Sequence, residues 1–410
     1  MNIGGFMDIL YVSSLCSKGK FNKLFEKSKI KPAQQAQKYH RLIVEGLAQN
    51  KGTSIKVLSA IPVNRLMSDK LYYKGGIEEE NEIVYKYLPF FNMPVLRHIG
   101  LIITCFLTTL KWCLKSKKVV IICDVLNISV SIAALLTSKI TRTNSVGIVT
   151  DIPAFLSGMS KNRKSYVKKI LILINTFIMN RFNSYVFLTE YMNAQINKKH
   201  KPYVVIEGQV DINMKNTINE LSKKYGKKVC VYAGALHKIY GIKLLTDVFI
   251  AAGVDNTELH IYGSGDFEEE LKIICMEHHN IKYFGVVAND IVVQEQLKAT
   301  LLINPRPTNE EYTKYSFPSK NMEYMVSGTP TLTTSLPGMP EEYKQYVYII
   351  DDETVEGLTK TLKGVLSKTK EELHLKGMIA RDYVLHNKNN VIQAKKMIDM
   401  INEMNSKKDK

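Results

Sequence analysis

The residues best suited to do chemistry in this 410-residue sequence lie between positions 303 and 343, INPRPTNEEYTKYSFPSKNMEYMVSGTPTLTTSLPGMPEEY. An apolar run that reads as a buried strand ends at Pro305, and a polar loop carrying Arg306 follows. A helix is then expected, with Ser316 as its cap, Pro318 in its first turn and Gly328 as its stop after Ser327. Free N–H groups at the start of such a helix attract anions, and Lys320 adds a positive charge to the same turn. A diphosphate suits that arrangement. Glu323 stands on the first turns, where a carboxylate can accept hydrogen bonds from the paired hydroxyls of a ribose. Strand, loop, capped helix and carboxylate together read as a cradle for a nucleotide sugar. The bland alternative is a surface ion pair between Lys320 and Glu323, against which Pro318 and the Gly-Thr-Pro exit weigh.

Positioning that helix requires a sheet behind it. Short β-branched runs alternate with longer helical patterns: DILYVSS at 8–14, a helix over 33–49, IKVLSAI at 55–61, VVIICDV at 119–125, a helix over 128–139, VGIVTDI at 146–152 and SYVFLT at 184–189. A second series restarts with KKVCVYAG at 227–234 and continues through LHIYGSG, IKYFG, TLLINP, TPTLTT and VYIID. This rhythm predicts an α/β chain with two parallel sheets, the first domain ending near residue 205 and a polar linker helix following over 214–228. Doubly wound sheets bind ligands at the carboxyl ends of their strands, and two such ends facing across a cleft make a two-substrate site.

The net charge of +17 is unevenly placed. Residues 1–200 hold 29 basic and 11 acidic side chains, and residues 201–410 hold 27 and 28. A basic first half points to an anionic partner: acidic lipid headgroups, a phosphorylated acceptor or nucleic acid. No nucleic-acid-binding motif accompanies it, so nucleic acid is not expected. Trp112 beside Lys111, Lys115, Lys117 and Lys118, and the run KNRKSYVKK at 161–169, read either as core with a solvated face or as contact with an anionic membrane surface. The apolar stretch 99–110 is shorter than the roughly 20 residues that span a bilayer. Six scattered cysteines without a CxxC pair predict neither zinc nor a disulfide framework, and suit a reducing cytoplasm.

SFPSKNMEYMVSGTP resembles the donor-binding motif of glycosyltransferase family 4, retaining enzymes of the GT-B fold. VYAGAL with YGIKLL, IYGSGDFEEEL, YFGVV and EGQVD are similar to further family segments, so the resemblance covers the second domain and, more loosely, the first. It implies two Rossmann-like domains facing across a cleft, residues 1–205 for the acceptor and 206–380 for the donor, with 381–410 crossing back to the first. Glu323 matches the ribose-gripping second Glu of the family's paired glutamates, and Tyr315 stands in place of the first. The resemblance assigns the donor sugar and phosphates to Ser316, Phe317, Pro318, Ser319 and Lys320. It places Gly234, Gly263 and Gly265 at strand ends and Val286 at the base. The Arg and Lys that relatives place near the diphosphate fall on Ala235 and Tyr240, which leaves Arg306 and Lys320, and more weakly His237 and Lys238, to replace them. Such an enzyme works without metal or other cofactor, by neutralising the leaving diphosphate with side chains and a helix dipole.

On the acceptor side, Asp151 ends a strand where many relatives carry a functional His, and it either orients the acceptor hydroxyl or caps a turn before Ile-Pro. Gln34 and Gln35 replace glycines that relatives set beside the donor phosphates. The expected activity is transfer of a sugar from a nucleoside diphosphate to a saccharide or lipid-linked acceptor, on the cytoplasmic face of a membrane. The alternatives are a catalytically weak partner subunit, suggested by Tyr315, Ala235 and Tyr240, and a related-fold nucleotide-sugar enzyme.

Overall fold

The computed structural model describes residues 7–116, 118–156 and 166–408, which fall into two compact units, Met1–Glu207 with Asn390–Lys410, and Gly208–Asn389. In chain order the first unit runs β1 (Met7–Ser13), α1 (Lys18–Lys27), α2 (Gln34–Gln49), β2 (Thr53–Ser59), β3 (Tyr72–Tyr73), β4 (Gly76–Glu80), β5 (Ile83–Tyr87), β6 (Phe90–Phe91), α3 (Pro94–Lys115), β7 (Val119–Asp124), α4 (Ile128–Thr141), β8 (Asn144–Val149), α5 (Pro153–Leu156), α6 (Tyr166–Met179), β9 (Ser184–Phe187), α7 (Glu190–Ile196) and β10 (Tyr203–Val205). The second runs β11 (Lys228–Ala233), α8 (Ile242–Ala252), β12 (Thr257–Tyr262), α9 (Glu268–Glu277), β13 (Ile281–Tyr283), α10 (Asn289–Lys298), β14 (Leu301–Asn304), α11 (Ser319–Ser327), β15 (Thr331–Thr334), β16 (Tyr348–Ile350), α12 (Val355–Leu366) and α13 (Lys370–Asn387). The last helix, α14 (Asn390–Lys408), returns to the first unit.

Each unit is built on one largely parallel sheet. The first has the order β10-β9-β8-β7-β1-β2-β5-β4, with only β4 antiparallel to its neighbour, and the second has β13-β12-β11-β14-β15-β16, parallel throughout. Strands β8, β9, β14 and β15 are buried at every residue, which is why they read as unbroken runs rather than as an alternation. The strand order reverses beside β1 in the first unit and beside β11 in the second. Because parallel crossovers are right-handed, that reversal sends helices to both faces. In the second unit, α8 and α12 pack on one face with the core around Leu245, Val248, Leu358 and Leu362. On the other face, α11 lies against α10 and α13.

Three expectations change. The unit boundary falls after Glu207 and the return to the first unit comes at Asn390 rather than 381, because α13 stays with α11. The linker helix expected over 214–228 is replaced by two short turns of 3-10 helix, Ile212–Asn216 and Leu221–Lys223. Three of its carbonyl groups are taken by Arg381, which donates to those of Met214, Lys215 and Thr217, and the Asn219 side-chain amide donates to Ser327 O. The apolar stretch that looked too short to span a bilayer belongs to a helix of 22 residues, which meets the length and apolarity of a span. Here α3 is part of the connection into β7 and packs along α4, with Thr109 hydrogen-bonded to Thr137 of α4 at 2.6 Å. The run 161–169 and Lys117 lie wholly or partly outside the described residues.

α14 packs along α2 at Gly46. A β-carbon there would stand 2.1 Å from Asn390 O and 3.0 Å from the Ala394 side chain. Gly46→Ala should therefore unseat the end of the chain and lower stability by about 2–3 kcal/mol, read as a lower urea midpoint. Gly100→Ala, on α3 with open space around it, should be neutral or slightly stabilising. Equal midpoints for the two variants would show that the helices are not in close approach.

Candidate active site

The helix that carries the motif is anchored from below. Asn304, at the end of β14, donates to Asn321 Oδ1 at 2.8 Å, and Asn321 donates to Thr333 of β15 at 3.3 Å. Tyr324 is fully buried and its hydroxyl accepts from Ala233 N of β11 at 3.0 Å. Phe317, Met322 and Met325 pack with Val210, Leu336 and Tyr343. These contacts set the first turn of α11 at the carboxyl ends of β11 and β14, where the strand order of this sheet reverses. The helix starts later than expected: Ser319 is its first residue and Pro318 occupies the cap position, with no side chain capping the turn. Ser316 is not the cap. It ends a preceding 3-10 turn in an extended conformation, φ −133° and ψ 142°, and its buried Oγ has no hydrogen-bond partner. The uncapped N–H groups of α11 are donors for an anion.

Lys320 bends back from that first turn over the end of β11. A β-carbon on Gly234 would stand 2.0 Å from its Cε and Nζ, so only glycine admits the lysine there. The ammonium donates to the Tyr232 hydroxyl at 2.8 Å and lies 4.2 Å from the centre of the same ring, and Tyr232 in turn donates to Ala235 O. Burial, followed by the neighbouring Arg306, lowers the Lys320 pKa to about 7, with Glu323 partly opposing them. Arg306 leaves the end of β14 between two rings, 4.7 Å from Tyr240 and 5.0 Å from Tyr312, and its buried Nε has no hydrogen-bond partner. Tyr240, the position where the family resemblance would put a lysine, thus seats an arginine from another strand. The sequence reading named Arg306 and Lys320 but missed the three tyrosines that hold them.

The glycines bring the strand ends together. A β-carbon on Gly263 would stand 1.8 Å from Gly234 O, and one on Gly265 would stand 2.4 Å from the Leu236 backbone. Gly234 N donates to Tyr262 O and Leu236 N to Ser264 O, both at 2.9 Å, tying the loops after β11 and β12. Val286 is exposed beyond Gly285, two positions past the Phe284 ring that stacks on Tyr262 at 4.8 Å. Glu323 and Tyr315 are half-buried, Glu323 near enough to Lys320 to act on its charge. Ser319 is exposed and Phe317 is buried. The weaker candidates are engaged elsewhere: Lys238 pairs with Glu270 at 2.5 Å and His237 with Asp266 at 3.3 Å.

In the first unit Asp151 is half-buried just beyond the end of β8. Gln34 and Gln35 open α2 and are exposed. The residue of that helix that does reach the loop after β1 is Gln37, which accepts from Cys16 N at 2.9 Å and donates to Ser14 O at 2.8 Å. Deeper, Tyr11 and His40 share a hydrogen bond of 2.6 Å, and Asp124 at the end of β7 lies 3.6 Å from the other His40 nitrogen. Burial holds the His40 pKa below its usual value despite Asp124. Among the described residues no three His, Cys, Asp or Glu side chains group as a metal site.

Residues 227–368 match the family described as Glycosyl transferases group 1. No curated protein matches the chain by sequence. Solved structures resemble it over nearly its whole length. A sucrose-phosphate synthase from Thermosynechococcus elongatus aligns over 97% of this chain and 99% of its own, with a TM-score of 0.67 and 11% identity. The lipopolysaccharide outer core galactosyltransferase WaaB aligns over 97% and 100%, with a TM-score of 0.62 and 16% identity. The Anabaena protein HepE in complex with UDP and glucose aligns over 97% and 100%, with a TM-score of 0.62 and 14% identity. The second unit therefore carries a group 1 glycosyl transferase domain, in a chain whose two Rossmann-like units give the GT-B fold.

Proposed function

We propose that this chain is a retaining glycosyltransferase that moves a sugar from a nucleoside diphosphate, held by the second unit, to a lipid-linked saccharide used in surface polysaccharide or glycolipid synthesis. The observation that carries the reading is the pairing of Lys320 with Arg306 beneath the uncapped turn of α11, at the carboxyl ends of β11 and β14. Two cations and a row of N–H groups there match the charge of a diphosphate, and Glu323 on the same helix is placed for the ribose. In the transfer, the bond from the anomeric carbon to the phosphate oxygen breaks and its electrons stay on the departing diphosphate. Lys320, Arg306 and α11 stabilise that charge as it develops. The acceptor hydroxyl forms the new bond on the face the diphosphate leaves and passes its proton to a phosphate oxygen, which retains the anomeric configuration. Asp151 orients that hydroxyl. The complex of the similar HepE protein with UDP and glucose makes UDP the first nucleotide to test.

Titration calorimetry with UDP, GDP, CMP and their sugar conjugates should show selective binding, weakened about tenfold to a hundredfold by Glu323→Ala or Lys320→Met. Absence of binding by any of them sinks the donor reading and favours a catalytically weak partner subunit. Asp151→Asn should leave that affinity unchanged and lower turnover by about 10²-fold.

The Lys320 pKa of about 7 gives a second check with a UDP-sugar, whose diphosphate does not titrate in this range. Bound diphosphate raises that pKa. Below pH 7 the lysine is already charged, so binding takes up little proton. At pH 8 the free lysine is mostly neutral, and binding should take up close to one proton, measurable in buffers of different ionisation enthalpy. Affinity should fall as pH rises above 7. Lys320→Met should abolish the uptake; unchanged uptake in that variant would assign the proton to another group.

A further inference from the structure

The first unit buries its two helical layers differently. On one face of its sheet, α2 and α14 turn charged pairs outward, Arg41 with Glu45 and Lys395 with Asp399. On the other, α3 packs along α4 and α4 meets α6, and the outward residues are apolar. Helix α3 buries a narrow line of four residues, Leu101, Cys105, Thr109 and Cys113, against the protein. On its opposite side Ile99, Ile103 and Leu107 are 49%, 52% and 58% exposed. Leu136 and Ile140 continue this surface on α4, and an apolar groove of about 710 Å³ follows between α4 and α6, lined by Ile132, Leu173, Ile174 and Phe177. An exposed apolar area of this extent on a globular unit marks a contact surface.

Charge identifies the contact. Helices α3, α4 and α6 contain no Asp or Glu, and together carry six Lys or Arg. Lys111 and Lys115 stand at the end of α3, Lys139 at the end of α4 and Lys169 near the start of α6. Apolar residues bordered by cations, without a single carboxylate on the three helices, complement the boundary between anionic headgroups and acyl chains. A protein partner with a matching apolar face would not call for the exclusion of acids along 50 residues.

We propose that the α3–α4–α6 face docks on an anionic lipid bilayer, with Ile103, Leu107 and Phe177 entering the headgroup boundary and the lysines binding lipid phosphates. Trp112 is not the membrane anchor. Its ring lies between Lys56 and Lys86, 5.7 and 5.6 Å from their ammonium groups, and together with Lys115, Asp8 and Ser116 it lines a separate cavity. The helices lie in the plane of the bilayer, because α3 packs along α4, which in turn covers β7, β1 and β8.

The test is flotation of the full chain with phosphatidylcholine vesicles with and without about 30% phosphatidylglycerol, which supplies a negative surface potential. Binding should require the anionic lipid and weaken with salt. Ile103→Glu/Leu107→Glu and, independently, Lys111→Glu/Lys139→Glu should each reduce it at least tenfold, with melting temperature unchanged. Ile273→Glu, an equally exposed apolar site on α9, should bind as the parent does. The proposal is overturned if the parent does not float with anionic vesicles at low salt, or if both double variants float with it. It is also overturned if the parent sediments as a dimer that Ile103→Glu/Leu107→Glu renders monomeric, which would make the face a contact between copies. Vesicle binding is measured without nucleotide, so its failure leaves the donor reading standing, and failure of nucleotide binding leaves this one.

Discussion

The second unit is organised around keeping an ammonium group inside protein. Charging a lysine away from water is costly, and a free lysine side chain would swing outward to avoid it. Lys320 stays because Gly234 leaves room for its chain, the Tyr232 hydroxyl accepts its hydrogen bond and α11 is fixed at Asn321 and Tyr324. Those supports belong to β11, β14 and β15, so three strands and a helix are committed to one charge. The Gly263 and Gly265 turn packs against the backbone around Gly234 and Leu236, which leaves the β12 loop no freedom either. Stability is set against readiness to meet an anion. A hydrocarbon in place of the lysine would suit the folded protein better and the ligand worse.

Arg306 is held by a different device. Its guanidinium lies between the rings of Tyr240 and Tyr312, faces that attract a weakly hydrated cation without neutralising it. A carboxylate partner would have fixed the side chain equally well and cancelled its charge. Rings keep the full positive potential at the strand ends, and the buried Nε keeps a donor in hand.

How much of this is legible in the sequence depends on how local the cause is. Buried parallel strands such as LLIN and VGIV announce themselves because both faces need apolar residues, and Gly328 stops α11 where its left-handed conformation, φ 77°, would predict. The association of Arg306 with Lys320 follows from their positions at a strand end and a helix start. What cannot be read locally is the ring environment: Tyr232, Tyr240 and Tyr312 come from separate segments, and nothing in the type or spacing of each names its cation. The segment 214–228 misleads for the same reason. Its polar pattern suits a helix, but Arg381, more than 160 residues away, takes its carbonyl groups. Ser316 illustrates the narrowest failure, a good capping residue displaced by a turn of 3-10 helix that no local rule demands.

The return of α14 to α2 has a consequence during synthesis. Everything between Gly208 and Asn389 is an insertion within the first unit, so that unit cannot finish folding when its own sheet is complete. The α2 surface that includes Gly46 waits uncovered while the intervening residues are made, roughly ten to forty seconds at the usual rate of translation. By the end of that interval the second unit has all its strands and can fold first, although it is encoded later. The nascent chain therefore matures from the inside out, and its first unit depends on a helix made only after the whole second unit.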